Sequence, residues 1–551
     1  MLKKDVKLEP HQEEALQNLH SNNGRILLAM ATGSGKTVTS IAGIESLAQQ
    51  GKAKNVLVIV PAALKDNFIN SGIKKFSDNV SIHDIQGSHK MNAVQSSRDG
   101  TLNYHVVSQE LFRLNPDKYL MTAKGPIDSL IVDEMARAKN FDSKLADALM
   151  NSSNKVRNVI GLAGSVSSNT PSEVVPMLHS ILGSNFSIKD PADFKRRFMQ
   201  NVTVKDEHGH PVQETRLKNM RSLKEIFGKS VFYYGQEELE KDYPKKIEET
   251  IKIPLAGREK QLYDFAMGDL SRSDRKRVEQ GLPPSSAKEM KHIFTRLLRA
   301  RQASVSTDVW GNKEPIEKTI EDSPKIKAVI EDIQKTLKET PDAKIMVYSD
   351  FINGGLKTLS ESLKSKNIKH GLFVGKGNKE FKGNDRNKAV KEYNVGKSKV
   401  LLVSSSGKEG IDLPNTTHIS LLSNTYNPEA ENQAVARGVR LKGQSNRKPE
   451  DRKVVVKKYI STLPETFLNR WHLTKRKKSV EEFVDSISSR KAKQNDEFKQ
   501  FLKQLRTTNH TPIITPAKNS SRKIGISKVK NFLSGRNGIT METKPSDKSN
   551  K

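Results

Sequence analysis

Arg25-Ile26-Leu27-Leu28-Ala29-Met30-Ala31-Thr32-Gly33-Ser34-Gly35-Lys36-Thr37 is the stretch whose reading decides the fold. Arg25–Met30 reads as a buried strand, and Ile41, Ile44 and Leu47 then share one face of a helix. Strand, glycine loop and helix in that order open a parallel α/β sheet. Glycines let backbone N–H groups close around phosphates without side-chain clash. Thr32, Gly33, Ser34 and Gly35 form that cradle; Lys36 is placed to reach the β and γ phosphates and Thr37 to hold Mg²⁺. The helix N-terminus adds a favourable dipole. The strict pattern asks for glycine where this chain has Met30. A chance glycine-rich turn is the competing reading, and the Lys-Thr ending after a strand weighs against it.

Outward from this loop, Val56–Val60, His105–Ser108, Leu130–Val132 and Val159–Leu162 read as further buried strands. Leu130-Ile131-Val132 delivers two adjacent acids, Asp133 and Glu134. An apolar strand ending so suits a Mg²⁺ ligand, Asp133, and a base or water-orienting residue, Glu134. Val202–Glu214 reads as a hairpin, and His208 and His210 in it are taken as turn residues rather than metal ligands. Residues 251–322 are helical and charge-rich, with a loop at Leu282–Ser286.

Strand–helix alternation resumes at Lys344, with Ile345–Tyr348, Gly371–Val374, Val400–Ser404 and His418–Leu422 as strands of a second parallel sheet and a further alternating stretch at Val454–Ile460. Gln433, Arg437 and Arg440 stand at i, i+4 and i+7, which predicts one helical face. An arginine there can neutralise charge growing on a γ phosphate. Coming from a second lobe, it acts only when the lobes close. A solvated basic helix is the alternative; the upstream loop Gly410-Ile411-Asp412-Leu413-Pro414, with Gly410 and Asp412 on the nucleotide side, favours the catalytic reading.

The chain has 551 residues, 34% hydrophobic and 28% charged, enough for two or three buried cores. Lys and Arg number 94 against 63 Asp and Glu, a net charge of +31. A polyanion, usually nucleic acid, offsets such an excess. No apolar run reaches membrane-spanning length, and the absence of cysteine excludes disulfides and cysteine-ligated zinc. These features fit a soluble intracellular protein.

With these residues in view, the chain resembles the Swi/Snf-type ATPases of helicase superfamily two, in order from about Lys7 to Thr462. Leu8-Glu9-Pro10-His11-Gln12 is similar to the adenine-recognition motif, with Gln12 as its reader. Val58–Phe68, Asp133–Asn140 and Leu162–Asn169 resemble three further motifs. So do Tyr243–Glu248, Ser323-Pro324-Lys325-Ile326, and Tyr426-Asn427-Pro428 followed by Gln433, Arg437, Arg440 and Gly443-Gln444. The departures are Met135-Ala136 for Ala-His, Ser165-Val166 for Thr-Pro, Lys408 for glycine, and one extra residue before Gly443. They bear on coupling more than on hydrolysis.

The resemblance implies two tandem RecA-like parallel-sheet lobes, at 1–250 and 323–465. A helical linker at 251–322 joins them, and a basic helical and disordered tail follows at 466–551. It implies ATP and Mg²⁺ as cofactors and duplex DNA as partner, gripped by its phosphates without strong sequence preference. Candidate contacts are Pro61–Lys65, Ser108-Gln109 and Ser404–Gly407, with Lys475-Arg476-Lys477-Lys478 as either one more clamp or a solvated helix face. The mixture of motifs is that of compact phage and large-DNA-virus forms, which would place it in a prokaryotic host's cytoplasm, or in a host cell or virion. A strand-separating helicase is the nearest rival. A nucleic-acid-binding scaffold with a decayed ATPase is the rival of another class, opposed by intact Lys36, Thr37, Asp133, Glu134, Arg437 and Arg440.

Overall fold

The structure is a computed structural model. It describes residues 2–509 except 88–89, 96–101, 168, 206–210, 283–286, 312–313, 376–380, 382–384, 409–410 and 466–475. The tip of the expected hairpin at 206–210, most of the Leu282–Ser286 loop, Gly410, Lys475 and the last forty or so residues therefore lie outside the described residues.

The first sheet has eight strands: β1 Arg25–Met30, β2 Asn55–Val60, β3 Ser81–Gln86, β4 Lys90–Gln95, β5 Asn103–Ser108, β6 Ser129–Val132, β7 Asn158–Ala163 and β8 Val231–Tyr234. Their spatial order is β8-β1-β7-β6-β2-β5-β3-β4, parallel throughout except for the antiparallel pair β3/β4. In β1, Leu27 and Ala29 enter one core while Ile26, Leu28 and Met30 enter the other. A strand covered on both faces must be apolar at nearly every position, which is why it was legible as a continuous run. Helices α1 Pro10–Ser21 and α2 Lys36–Gln49 flank it. The hairpin expected at Val202–Glu214 is present as Met199–Lys205 against Pro211–Leu217.

The second sheet has six strands, all parallel: β9 Lys245–Pro254, β10 Ile345–Tyr348, β11 His370–Phe373, β12 Val400–Val403, β13 His418–Leu421 and β14 Lys453–Thr462. Their order is β9-β14-β13-β10-β12-β11. β9 spans residue 250 and pairs along its whole length with β14, from Lys245 opposite Lys453 to Pro254 opposite Thr462. Between the sheets run linker helices that include α3 Gly257–Met267 and α4 Ala287–Ala303.

In the second lobe α5 Pro428–Val435 follows β13, and the last described element is the 30-residue helix α6 Val480–Asn509. The first half of α6 buries Val480, Phe483, Val484 and Ile487 among the linker helices. Its second half buries Phe498, Phe501, Leu502 and Leu505 in the first lobe. Phe227 stands edge-on to Phe498 and Phe501, each at 5.7 Å. No described helix is long and apolar enough to cross a membrane.

In a parallel sheet the loops after the strands gather on one edge, where ligands bind. The loops after β1, β2, β5, β6 and β7 share that edge of the first lobe, and those after β10, β12 and β13 share it in the second.

Candidate functional site

The glycine loop leaves β1 at Met30 and enters α2 at Lys36. Gly33 and Gly35 hold φ of +89° and +87°, a left-handed geometry costly for any other residue here. Gln12 explains why position 35 admits no side chain: an added β-carbon would stand 2.2 Å from its Nε2. The Gln12 amide donates to the Ser34 carbonyl at 3.0 Å, while its oxygen accepts the Glu9 N–H. His11 Nε2 lies 2.9 Å from the same carbonyl, its ring stacked on Tyr234 at 4.0 Å. The Lys36 ammonium donates to the carbonyls of Met30 and Ala31 at 2.9 and 3.1 Å. Desolvation lowers its pKa, while the Glu134 and Asp133 carboxylates pull it back up.

The acid pair ends β6 as expected. Asp133 donates its N–H to Ile59 at 2.9 Å and accepts the Glu134 N–H on Oδ1 at 3.0 Å. Burial and the neighbouring Glu134 push the Asp133 carboxyl up to about 6, against the pull of that N–H and of Lys36. Glu134 itself sits at φ +48° and ψ +46°, a left-handed conformation that strains a residue other than glycine. Behind the pair, buried Gln109 donates to the Asp133 carbonyl at 2.7 Å and accepts from Arg137 at 3.2 Å. Arg137 also pairs with Glu110, whose carboxylate accepts the Ala62 N–H. One polar network thus ties the loops after β2, β5 and β6.

The single helical face expected for Gln433, Arg437 and Arg440 is not what forms. Helix α5 stops at Val435, leaving Gln433 exposed on its last turn and both arginines in the turns beyond. The cause is local. The Arg437 carbonyl accepts the Leu413 N–H at 3.2 Å, and Gly438 packs so closely on Thr416 that a β-carbon would lie 2.9 Å from its Cγ2.

The turn nevertheless carries this segment to the phosphate loop. A β-carbon on Gly33 would lie 3.0 Å from Leu441 Cβ. Tyr243, at the entry to β9, donates its hydroxyl to the Thr32 carbonyl at 2.5 Å. Burial raises the pKa of that hydroxyl, and the Arg440 guanidinium opposes the rise. Arg440 is held by Asp412 at 3.2 Å, so the Asp412 carboxylate faces an arginine here.

The candidate nucleic-acid loops are only partly free. Lys65 is tied to Asp84 at 2.5 Å and to the Ile85 carbonyl; Ser108, Gln109 and Ser404 are buried. Ala62, Ala63 and Ser405 are the exposed positions of those loops. In the basic tail, Arg476 pairs with Glu482 and Lys477 with Glu279, so both are engaged within the chain.

Sequence reasoning missed α6 at the site. Asn495 Oδ1 accepts the Ser167 hydroxyl at 2.6 Å, and Lys491 donates both to Asn169 Oδ1 and to the Tyr426 carbonyl of the second lobe. Arg506 pairs with Glu14 of α1 at 3.0 Å and lies over Tyr234. The signal was the apolar spacing of Phe498, Phe501, Leu502 and Leu505, which marks a buried face without naming its partner.

Against known proteins, residues 11–309 match the SNF2-related domain. The chain belongs to the SNF2-related family. Residues 325–442 match the helicase conserved C-terminal domain. Membership makes it an ATP-hydrolysing enzyme of the helicase-like class. An Acanthamoeba polyphaga mimivirus protein, L538, provisionally named an ATP-dependent RNA helicase, is 24% identical over 90% of this chain and 96% of its own length. The SWI/SNF chromatin-remodeling complex subunit snf22 of Schizosaccharomyces pombe is 24% identical over 78% of this chain, which spans 25% of that subunit. The Sulfolobus solfataricus SWI2/SNF2 ATPase core in complex with dsDNA aligns over 91% of this chain and 97% of that one, at 19% identity and TM-score 0.35.

Proposed function

We propose that this SNF2-family chain is a nucleic-acid-dependent ATPase that translocates on duplex DNA or remodels protein–DNA complexes. The observation that carries the reading is the seating of the second lobe's Arg440–Leu441 segment on the phosphate loop of the first. Hydrolysis at such a junction is sensitive to the relation between the lobes, which is what a motor requires.

The residues present fit ATP with a divalent ion. Gly33 and Gly35 hold the left-handed turns of the loop, Lys36 faces the Asp133 and Glu134 carboxylates, and burial beside Glu134 raises the Asp133 carboxyl. Thr37 and Asp133 would hold Mg²⁺, and Thr32, Gly33, Ser34, Gly35 and Lys36 the phosphates, with Gln12 beside them. Bound Mg²⁺ supplies Lewis-acid charge at the phosphates. Glu134 orients the attacking water and takes its proton; Arg437 and Arg440, with Gln433 and Asp412 supporting, bring cationic charge from the second lobe. The net charge of +31 suits phosphate-led binding of nucleic acid without strong sequence preference.

Strand separation is the second reading, and the mimivirus relative's name extends it to RNA. ATP turnover measured without nucleic acid, and with single-stranded DNA, blunt duplex DNA or RNA, separates these readings. Stimulation by blunt duplex is the expected result. No stimulation by any nucleic acid would overturn the motor reading. Glu134→Gln should bind ATP and fail to turn it over.

A further inference from the structure

Phe265 on α3 and Trp310 just beyond α4 are both exposed, at 69% and 41%, in a chain with only two tryptophans. Their ring centroids lie 6.3 Å apart, tilted by 49°. Trp310 is held in place: its indole N–H donates to Gln302 Oε1 at 3.2 Å, and the Arg299 guanidinium lies 5.9 Å from its ring centre. Its backbone adopts φ +56°, a conformation that a bulky residue takes only when its surroundings impose it. Core packing does not account for this, because the ring it displays faces water.

The position is informative. Asp308 accepts the Thr358 hydroxyl at 2.9 Å, and its carbonyl would stand 2.7 Å from a β-carbon on Gly354. The tryptophan is therefore pinned beside the loop that follows β10, on the ligand edge of the second sheet. Arg296 and Arg299 are exposed on the same stretch of α4; Asp269 pairs with Arg299 at 3.6 Å and its carbonyl accepts from Arg296. A preorganised aromatic pair flanked by arginines matches a nucleobase, which offers a π-face beside a phosphate.

We propose that Phe265 and Trp310 form a seat for one unpaired base of a DNA strand, separate from the grip on duplex phosphates. The inference rests on the nucleic-acid reading above. It adds to that motor a means of sensing where a duplex opens or ends.

The test uses the full chain carrying Trp471→Phe, which leaves Trp310 as the only tryptophan. Its fluorescence is titrated with a blunt duplex, the same duplex bearing a single-stranded tail, and the same tail made abasic. Quenching by the base-bearing tail alone is expected. The added affinity due to the tail, read for every variant from the anisotropy of end-labelled DNA and about tenfold for one stacked base, should vanish in Trp310→Ala and Phe265→Ala and survive in Trp310→Tyr. Turnover stimulated by blunt duplex should be the same in all variants. Equal quenching by the abasic tail, or an undiminished tail contribution in Trp310→Ala, overturns the proposal and leaves the rings as a surface for a protein partner. A chain stimulated by duplex but indifferent to bases fails here alone. A chain that no nucleic acid binds or stimulates fails on both counts.

Discussion

Leu441 of the second lobe rests on Gly33 of the phosphate loop, so close that a β-carbon on the glycine would meet Leu441 Cβ and Cδ2 at 3.0 Å. The glycine is thus required twice, by its φ of +89° and by the leucine above it. Leu441→Ala should leave nucleotide affinity nearly unchanged and lower stimulated turnover. Loss of a half-buried leucine contact, about 1 kcal/mol, shifts the closed population roughly fivefold. Nucleotide titration beside turnover at saturating duplex checks this. An equal fall in affinity and turnover would assign Leu441 to nucleotide binding instead.

Arg440 is fixed by Asp412 and acts on Tyr243 at the mouth of the phosphate loop. Arg440→Ala, and the Arg437/Arg440 double alanine variant, should remove DNA-stimulated turnover by roughly 10³-fold or more while ATP still binds the first lobe. Lysine should rescue poorly, since it lacks the planar fork. Full stimulated activity in the double variant would confine hydrolysis to the first lobe.

Gln109 is buried behind the acid pair, between the Asp133 carbonyl and Arg137. Gln109→Leu keeps the volume and removes both bonds, leaving groups whose loss of partner costs about 1–3 kcal/mol. The expected result is a turnover number lowered roughly tenfold, with an unchanged KM for ATP. A rise in KM with turnover preserved would contradict a positioning role.

Glu259 is fully buried among the linker helices near the Lys325–Glu481 pair, and burial pushes its carboxyl up to about 9. Lys325 pulls it down and Glu481 pushes it further up. A folded-state pKa above the unfolded value means that the folded chain binds the extra proton. Stability from this group is therefore full below pH about 4.5 and is lost as pH rises towards 9, at up to about 1.4 kcal/mol per pH unit. Thermal melts of Glu259→Gln from pH 5 to 9 should show a flatter decline than the parent chain. Parallel curves would show that Glu259 does not titrate on unfolding.

Much of this architecture is written in local patterns. β1, the glycine loop and α2 were legible because a doubly covered strand is apolar throughout and the loop needs specific residues. The first lobe's β3, β4 and β8 were not: Ser81–Gln86 and Lys90–Gln95 carry polar residues at half or more of their positions, and Val231-Phe232-Tyr233-Tyr234 carries no period of its own. β9 is largely exposed, so its membership in the second sheet depends on β14, far along the chain. At Arg437 and Arg440 the helical spacing was carried past the end of α5 at Val435, where the Arg437 carbonyl accepts the Leu413 N–H rather than an N–H of a continuing helix. Asn495 and Lys491 were invisible as site residues, since their partners belong to other elements.

The placement of α6 has a consequence for synthesis. Phe498, Phe501, Leu502 and Leu505 fill a face of the first lobe, against Phe227 and its neighbours. The lobe made first on the ribosome therefore waits, with an apolar groove uncovered, until nearly the whole described chain has emerged. A message broken before codon 498 would yield both sheets and still leave that groove open to other chains, which makes α6 the quality seal on the first domain.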